Sequence, residues 1–313
     1  MKTTFAAALG LTLAATLPAF AADEPQACGK VVFSDVGWTD ITATTALTTT
    51  VLEALGYETE IKVLALPVTF AALASADVDV FLGLWMPSME ADIAPYRESA
   101  TVEILRSNLT GAKYTLATNQ AGADLGITDF AAIAAHRDAL SGRIYGIEPG
   151  NDGNRLLLEM VAKDQFGLGT FEVVESSEQG MLAQVGRAER RGEPVVFLGW
   201  EPHPMNSAYR LTYLTGGDDI FGPDLGGAEV QTVTRPDYAT ECANVGQFLN
   251  NLEFTLEMEN EVMAAILDDG AMPADAARDW LAANPGAADH WLDGVTTRDG
   301  GNALAALSAA LDG

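Results

Sequence analysis

Two stretches decide how this chain is read: Asp79–Pro87, DVFLGLWMP, and Val195–Pro204, VVFLGWEPHP. Each is a continuous apolar run ended by Gly, Trp and a Pro-containing loop. A run of that length bounded by turn residues reads as a strand buried on both faces, the kind found in α/β sheets. Working outward from the first, Lys30–Val36 (KVVFSDV) reads as another buried strand, Ile41–Leu55 as a helix capped by Thr39 or Asp40 and stopped by Gly56, and Glu58–Leu64 as a half-buried strand. A short helix, Val68–Ser75, leads into the strand Val78–Leu84. The β-α-β-α-β rhythm implies a mostly parallel sheet with right-handed crossovers.

The rhythm breaks at Asn119–Gly126 (NQAGADLG) and restarts. Helices are expected over Asp129–Leu140, Asn154–Lys163 and Gly180–Arg190, and strands over Arg143–Ile147, Phe171–Glu175, Pro194–Leu198 and Tyr209–Leu214. Gly216–Gly227 reads as loop, Glu229–Thr234 as a strand returning to the first half, and the chain from Ala243 onward as helical, interrupted at DDGAMP and ANPG. The chain is thus α/β and built in two halves, as its 313 residues allow.

With 17 Lys+Arg against 44 Asp+Glu, the net charge of −27 argues against nucleic acid and against anionic lipid surfaces as partners. Residues 1–21, with Lys2, an apolar run and Ala19-Phe20-Ala21, have the layout of a cleaved secretory signal peptide. No later stretch is apolar enough to span a membrane. Export implies an oxidising compartment, where the two cysteines, Cys28 and Cys242, are expected to pair and bring the chain near residue 242 back to the N-terminal half.

Tryptophans mark the candidate site. Trp38, Trp85 and Trp200 each follow an apolar strand with Gly one or two residues before them, and Tyr114 lies where the chain leaves the first half. Strand C-terminal ends are where open α/β sheets place ligands. Several aromatic faces converging on one point bind an organic cation, a quaternary ammonium best of all. Asp40 offers a negative charge beside them or, read plainly, a helix cap; Asn151, in PGNDGN, reaches toward the same cleft, where Asp152 reads as the helix cap. Trp280 and Trp291 read as packing anchors. No metal-ligand spacing, nucleotide loop or nucleophile elbow is present, so neither a metal nor a cofactor is expected. Asp218, Asp219 and Asp224 read as a solvated loop. Glu201 and His203 are the sole hint of catalysis, as in a secreted hydrolase.

Taken together and in order, VGWTD, GLWMP, AKYTLAT, PGNDGN and FLGWEPHPM resemble the substrate-binding proteins of quaternary-amine ABC transporters, and among them the choline-binding members. The resemblance covers nearly the whole chain after the signal peptide. It implies the type II periplasmic-binding fold, with two crossing strands, a first lobe of residues 22–115 and 225–313, and a second of 116–224. It implies that Trp38, Trp85, Tyr114 and Trp200 box the ammonium, that Asp40 and Asn151 hold the choline hydroxyl, that Cys28 and Cys242 form a disulfide, and that a membrane permease is the partner. Glycine betaine is the alternative ligand.

Overall fold

A computed structural model describes residues 25–313; the expected signal peptide lies outside the described residues. One continuous sheet of nine strands runs through the molecule: β1 (Lys30–Asp35), β2 (Glu58–Val63), β3 (Val80–Met86), β4 (Glu103–Asn119), β5 (Arg143–Tyr145), β6 (Glu172–Val174), β7 (Val196–Glu201), β8 (Leu211–Tyr213) and β9 (Gly227–Thr234). Their order is β2-β1-β3-β9-β4-β7-β5-β6, with β8 also on β4. Both outer ends are parallel, β1 with β2 and β3, and β5 with β6 and β7. The middle is antiparallel, because β9 runs back between β3 and β4.

The long strand β4 joins the two halves. Glu103–Lys113 pairs with β9, and Lys113–Thr118 pairs with β7. Register shifts between Ser107 and Ala112 bend the strand ahead of the switch. The sequence reading does not include residues 103–113 as a strand. Their pattern, EILRSNLTGAK, shows no clean alternation, and the partner strand lies more than a hundred residues away.

Packing explains the glycines before two of the tryptophans. A Cβ on Gly83 would sit 2.7 Å from Ile41 Cδ1, and one on Gly199 would sit 2.8 Å from Ala117 Cβ. Glycine therefore lets the helix Thr39–Ala54 lie close on β3 and lets β7 accept its neighbour. That helix is buried almost all round, between the sheet and the helices Leu256–Leu267 and Pro273–Ala283. Three of its buried threonines satisfy themselves on the preceding turn: Thr44 donates to Asp40 O (3.0 Å), Thr48 to Thr44 O (2.7 Å) and Thr49 to Thr45 O (2.9 Å).

Three local expectations are corrected. The helix expected over Asp129–Leu140 is a single turn, Phe130–Ile133, followed by a 3₁₀ turn, Ala134–His136. Ser141 and Gly142 then take positive φ (54° and 62°), and the buried Leu140 just before them rejoins the core. Gly216–Gly227 contains two single turns, Asp218–Phe221 and Pro223–Gly226, and buries Phe221. Asp40 is not a cap: the cap position of Thr39–Ala54 is Trp38, which makes no side-chain cap bond. Cys28 and Cys242 are joined, with Cα atoms 5.4 Å apart, pinning the start of β1 to the helical segment after β9.

Candidate functional site

Trp38 is placed by the turn after β1. Gly37 takes φ +84°, and the Asp35 carboxylate accepts from Gly37 N–H and the Thr42 hydroxyl, both at 2.7 Å. Trp38 then opens the helix, and Asp40 falls in its first turn. Trp85 and Trp200 lie one residue inside the ends of β3 and β7, not beyond them, because the ladders with β9 and β4 extend that far. Tyr114 is paired directly opposite Trp200 across the β4–β7 ladder. Its ring is the hub of the cluster: centroids lie 5.9 Å from Trp85, 6.3 Å from Trp200 and 5.9 Å from Phe221. The two last are edge-on, an arrangement that suits aromatic quadrupoles.

Tyr114 is also wedged against the helix Asp152–Ala162. A Cβ on Gly153 would lie 1.9 Å from the Tyr114 hydroxyl oxygen, so that helix can reach the ring only with glycine there. Asn151 is the helix cap, the role expected of Asp152: its side-chain oxygen accepts from Asn154 N–H at 2.6 Å. That bond fixes the orientation of the amide and leaves the buried Nδ2 without a partner.

These elements surround a small cavity. Trp38, Asp40, Trp85, Tyr114 and Trp200 line it, joined by Ile147 and Asp152; Asn151 is buried beside Asp152 but is not part of the lining. All six expected residues are 1–6% exposed, so the cleft is shut. Asp40 accepts the Trp85 indole N–H on Oδ2 (3.1 Å), and its Oδ1 has no partner. Among the described residues no basic side chain lines the cavity.

The electrostatics favour a cation. Burial, reinforced by Glu178, pushes the Asp40 carboxyl up to about 8. Burial lifts Glu148 to about 7 and Asp152 to about 6, the latter opposed by the Ser88 hydroxyl. Burial and the nearby charges of Asp152, Glu148 and Asp40 raise the Tyr114 phenol further above its ordinary range. A positive charge in the cavity would relieve all of these.

The residues around the box come from both halves of the sheet. Glu148, after β5, accepts the Trp38 indole N–H. Glu178, after β6, accepts Thr39 N–H (2.9 Å) and the Thr39 hydroxyl (2.5 Å). Arg155 reaches back to Ser88 O and Asp92, both at 2.8 Å. Sequence reasoning missed Ile147, Glu148, Asp152 as a lining residue, Glu178 and Phe221. The signal for Glu148 and Asp152 was their place on either side of Pro149 and Asn151; Glu178 looks like an ordinary first-turn acid of its helix.

Glu201 and His203 do not form an acid–base pair. Glu201 is bridged to Lys113 at 2.9 Å. His203 is buried, accepts Met205 N–H on Nδ1 (3.0 Å), and therefore donates from Nε2 to Glu178 (3.2 Å). Trp291 is a fully buried anchor whose indole donates to Glu253 O, whereas Trp280 is half-buried and donates to Glu261.

Two α/β halves joined by crossing strands and shut over an aromatic, acidic cavity define a solute-binding protein of the type II periplasmic class. The family of substrate-binding domains of ABC-type glycine betaine transport systems (OpuAC) matches residues 29–283, and the chain belongs to that family. Its members are transport receptors and not enzymes. The chain is similar to an ABC-transporter choline-binding protein solved with choline, at 66% identity and a TM-score of 0.91 over 92% of this chain and 100% of that one. Against a choline-binding protein in an unliganded semi-closed conformation, also 66% identical, the TM-score is 0.84 over 91% and 99% of the two chains. It is 28% identical to the glycine betaine/carnitine transport binding protein GbuC of Listeria monocytogenes, over 64% of this chain and 62% of that protein. Among the described residues no helix is long and apolar enough to cross a membrane.

Proposed function

We propose that this chain is the choline receptor of an ABC importer. Trp38, Trp85, Tyr114 and Trp200 surround the trimethylammonium group, and Asp40 and Asn151 share the hydroxyl. The observation that carries this reading is a pair of unpartnered buried atoms, the acceptor Asp40 Oδ1 and the donor Asn151 Nδ2. A hydroxyl both donates and accepts, so one alcohol end satisfies both. A carboxylate end would meet Asp40 and Asp152 with no basic group in the lining, which disfavours glycine betaine. The similarity to a choline-bound protein agrees. For a ligand of about seven heavy atoms the affinity ceiling is on the order of 10 kcal/mol, and desolvated cation–π contacts of ~2 kcal/mol each bring micromolar or tighter binding within reach.

The first lobe in this reading is 22–115 with 225–313 and the second is 116–224, hinged where β4 and β9 cross. Ligand contacts from both lobes favour the closed form, which docks on the permease. Residues 1–21 direct export to the periplasm and are removed, so the mature protein begins near Ala22 in an intact-mass measurement.

Calorimetry against choline, acetylcholine, glycine betaine and proline betaine tests the ligand. Choline should bind most tightly, and Trp85→Ala or Trp200→Ala should weaken it by ~2 kcal/mol or more, near thirtyfold. Trp280→Ala, remote from the cavity, should leave affinity unchanged. Equal losses at all three tryptophans would point to general destabilisation and defeat the box.

A further inference from the structure

We infer that Glu178 is the positioning residue that latches the two halves together, by capping the helix Thr39–Ala54 from across the cleft. The proposal rests on the reading that the chain closes over choline. The cap position of that helix, Trp38, supplies no side-chain acceptor. The first N–H groups of a helix need one. Glu178, on the other half of the sheet, provides it: Oε2 takes Thr39 N–H at 2.9 Å and Oε1 takes the Thr39 hydroxyl at 2.5 Å.

The carboxylate is held for this task. It is fully buried, and His203 Nε2 donates to Oε1 at 3.2 Å. Glu178 also begins its own helix, Glu178–Arg191, which Ser177 caps through Gly180 N–H at 3.1 Å. The charge thus lies at two helix N-termini, each of which favours an anion. Arg155 with Ser88 and Asp92 also bridges the halves, but this contact is partly exposed. Exposed pairs contribute little, whereas buried charge-assisted bonds contribute more.

The latch acts on one state only. In an open cleft water serves both Thr39 donors and the Glu178 carboxylate. In the closed cleft no water need enter, because the three groups satisfy one another. Glu178→Gln keeps one acceptor oxygen but turns an NH₂ toward either Thr39 N–H or the His203 N–H. Donor then faces donor, and the cost falls on the closed form. Asp40 sits one residue beyond Thr39, so the latch also fixes where its carboxylate meets the ligand.

Stopped-flow binding of choline to the full mature chain tests this, with Trp fluorescence as the signal. Glu178→Gln should release choline at least tenfold faster, with an association rate within twofold of wild type and an unchanged melting temperature without ligand. Thr39→Val, which removes only the hydroxyl donor, should shift release in the same direction by a smaller factor. The double variant should release no faster than Glu178→Gln alone. Unchanged release in Glu178→Gln, or factors that multiply in the double variant, would overturn the latch. If Glu178→Gln does not fold, Thr39→Val decides, and unchanged release there is the refuting result. Wild type that binds no choline would overturn the ligand reading and the latch with it; wild type that binds choline with unaltered variants would overturn the latch alone.

Discussion

Asp40→Asn separates the charge of the site from its shape. The side chain keeps its size and one oxygen to accept the Trp85 indole, now made at 3.1 Å to Oδ2. What disappears is the negative charge and the free acceptor Oδ1. With the ammonium roughly 5 Å from the carboxylate and an effective dielectric near 20, the lost attraction is about 3 kcal/mol. Part of that is offset, since the buried carboxyl titrates at about 8 in the empty cavity. Ionising it at pH 7 costs roughly 1.4 kcal/mol. The net loss for choline is about 2 kcal/mol, near thirtyfold. For glycine betaine the sign reverses, because the variant no longer repels its carboxylate. A wild-type preference for choline of about a hundredfold or more should shrink to below about tenfold, as judged from the same Coulomb magnitude. Isothermal titration of both ligands into both proteins reads this directly. A wild-type protein that prefers glycine betaine, or an Asn variant with unaltered selectivity, would show that the carboxylate does not face the ligand.

The remaining predictions concern packing and protons. Gly153→Ala places a methyl 1.9 Å from the Tyr114 hydroxyl, which cannot retreat because Trp85, Trp200 and Phe221 surround the ring. Overpacking of this kind costs typically 1–3 kcal/mol, so choline affinity and the melting temperature should both fall, and an affinity equal to wild type would refute the fit. Asp40, Glu148 and Asp152 titrate in the folded chain at about 8, 7 and 6, all raised by burial. Their folded forms hold protons that the unfolded chain has released, so this stability is complete below the ordinary carboxylate range of about 4, falls as pH rises past it, and is fully lost above the folded values. The melting temperature without ligand should therefore fall as pH rises from about 4 to about 8, while choline affinity should climb between pH 6 and 8 as protons cease to compete with the cation; a pH-independent affinity would count against the charged cavity.

Much of this was legible in the chain because it rests on local pattern. KVVFSDV, VDVFLGL and PVVFLG each carry an unbroken apolar run, VVF, VFLGL and VVFLG, as strands buried on both faces do, and the tryptophans at their ends needed only that observation. The first part of β4 was not legible. Residues Glu103–Lys113 mix charge, Asn and Gly, and become a strand only because β9 lies alongside. Its stabilisation is non-local, and no window of sequence contains both partners. The same holds for Phe221, which reads as part of a glycine-rich loop until the fold brings it to Tyr114.

Apart from Asp40, the acidic residues of the site failed to stand out for a different reason. In a chain with 44 Asp and Glu, any one acid beside a turn reads as solvated surface. Asp152 and Glu178 are buried and Glu148 half-buried where the two halves meet, and the half that carries these acids lacks the indole of Trp38 and the N-terminus at Thr39 that Glu148 and Glu178 accept from. Closure therefore gathers negative charge out of water, which by itself is unfavourable. A quaternary ammonium reverses that balance without asking for a hydrogen bond, and it does so from the centre of the aromatic ring cluster. Asp40, Glu148 and Asp152, whose burial makes an empty closed cleft costly, are thus the groups that make a filled one selective for a cation.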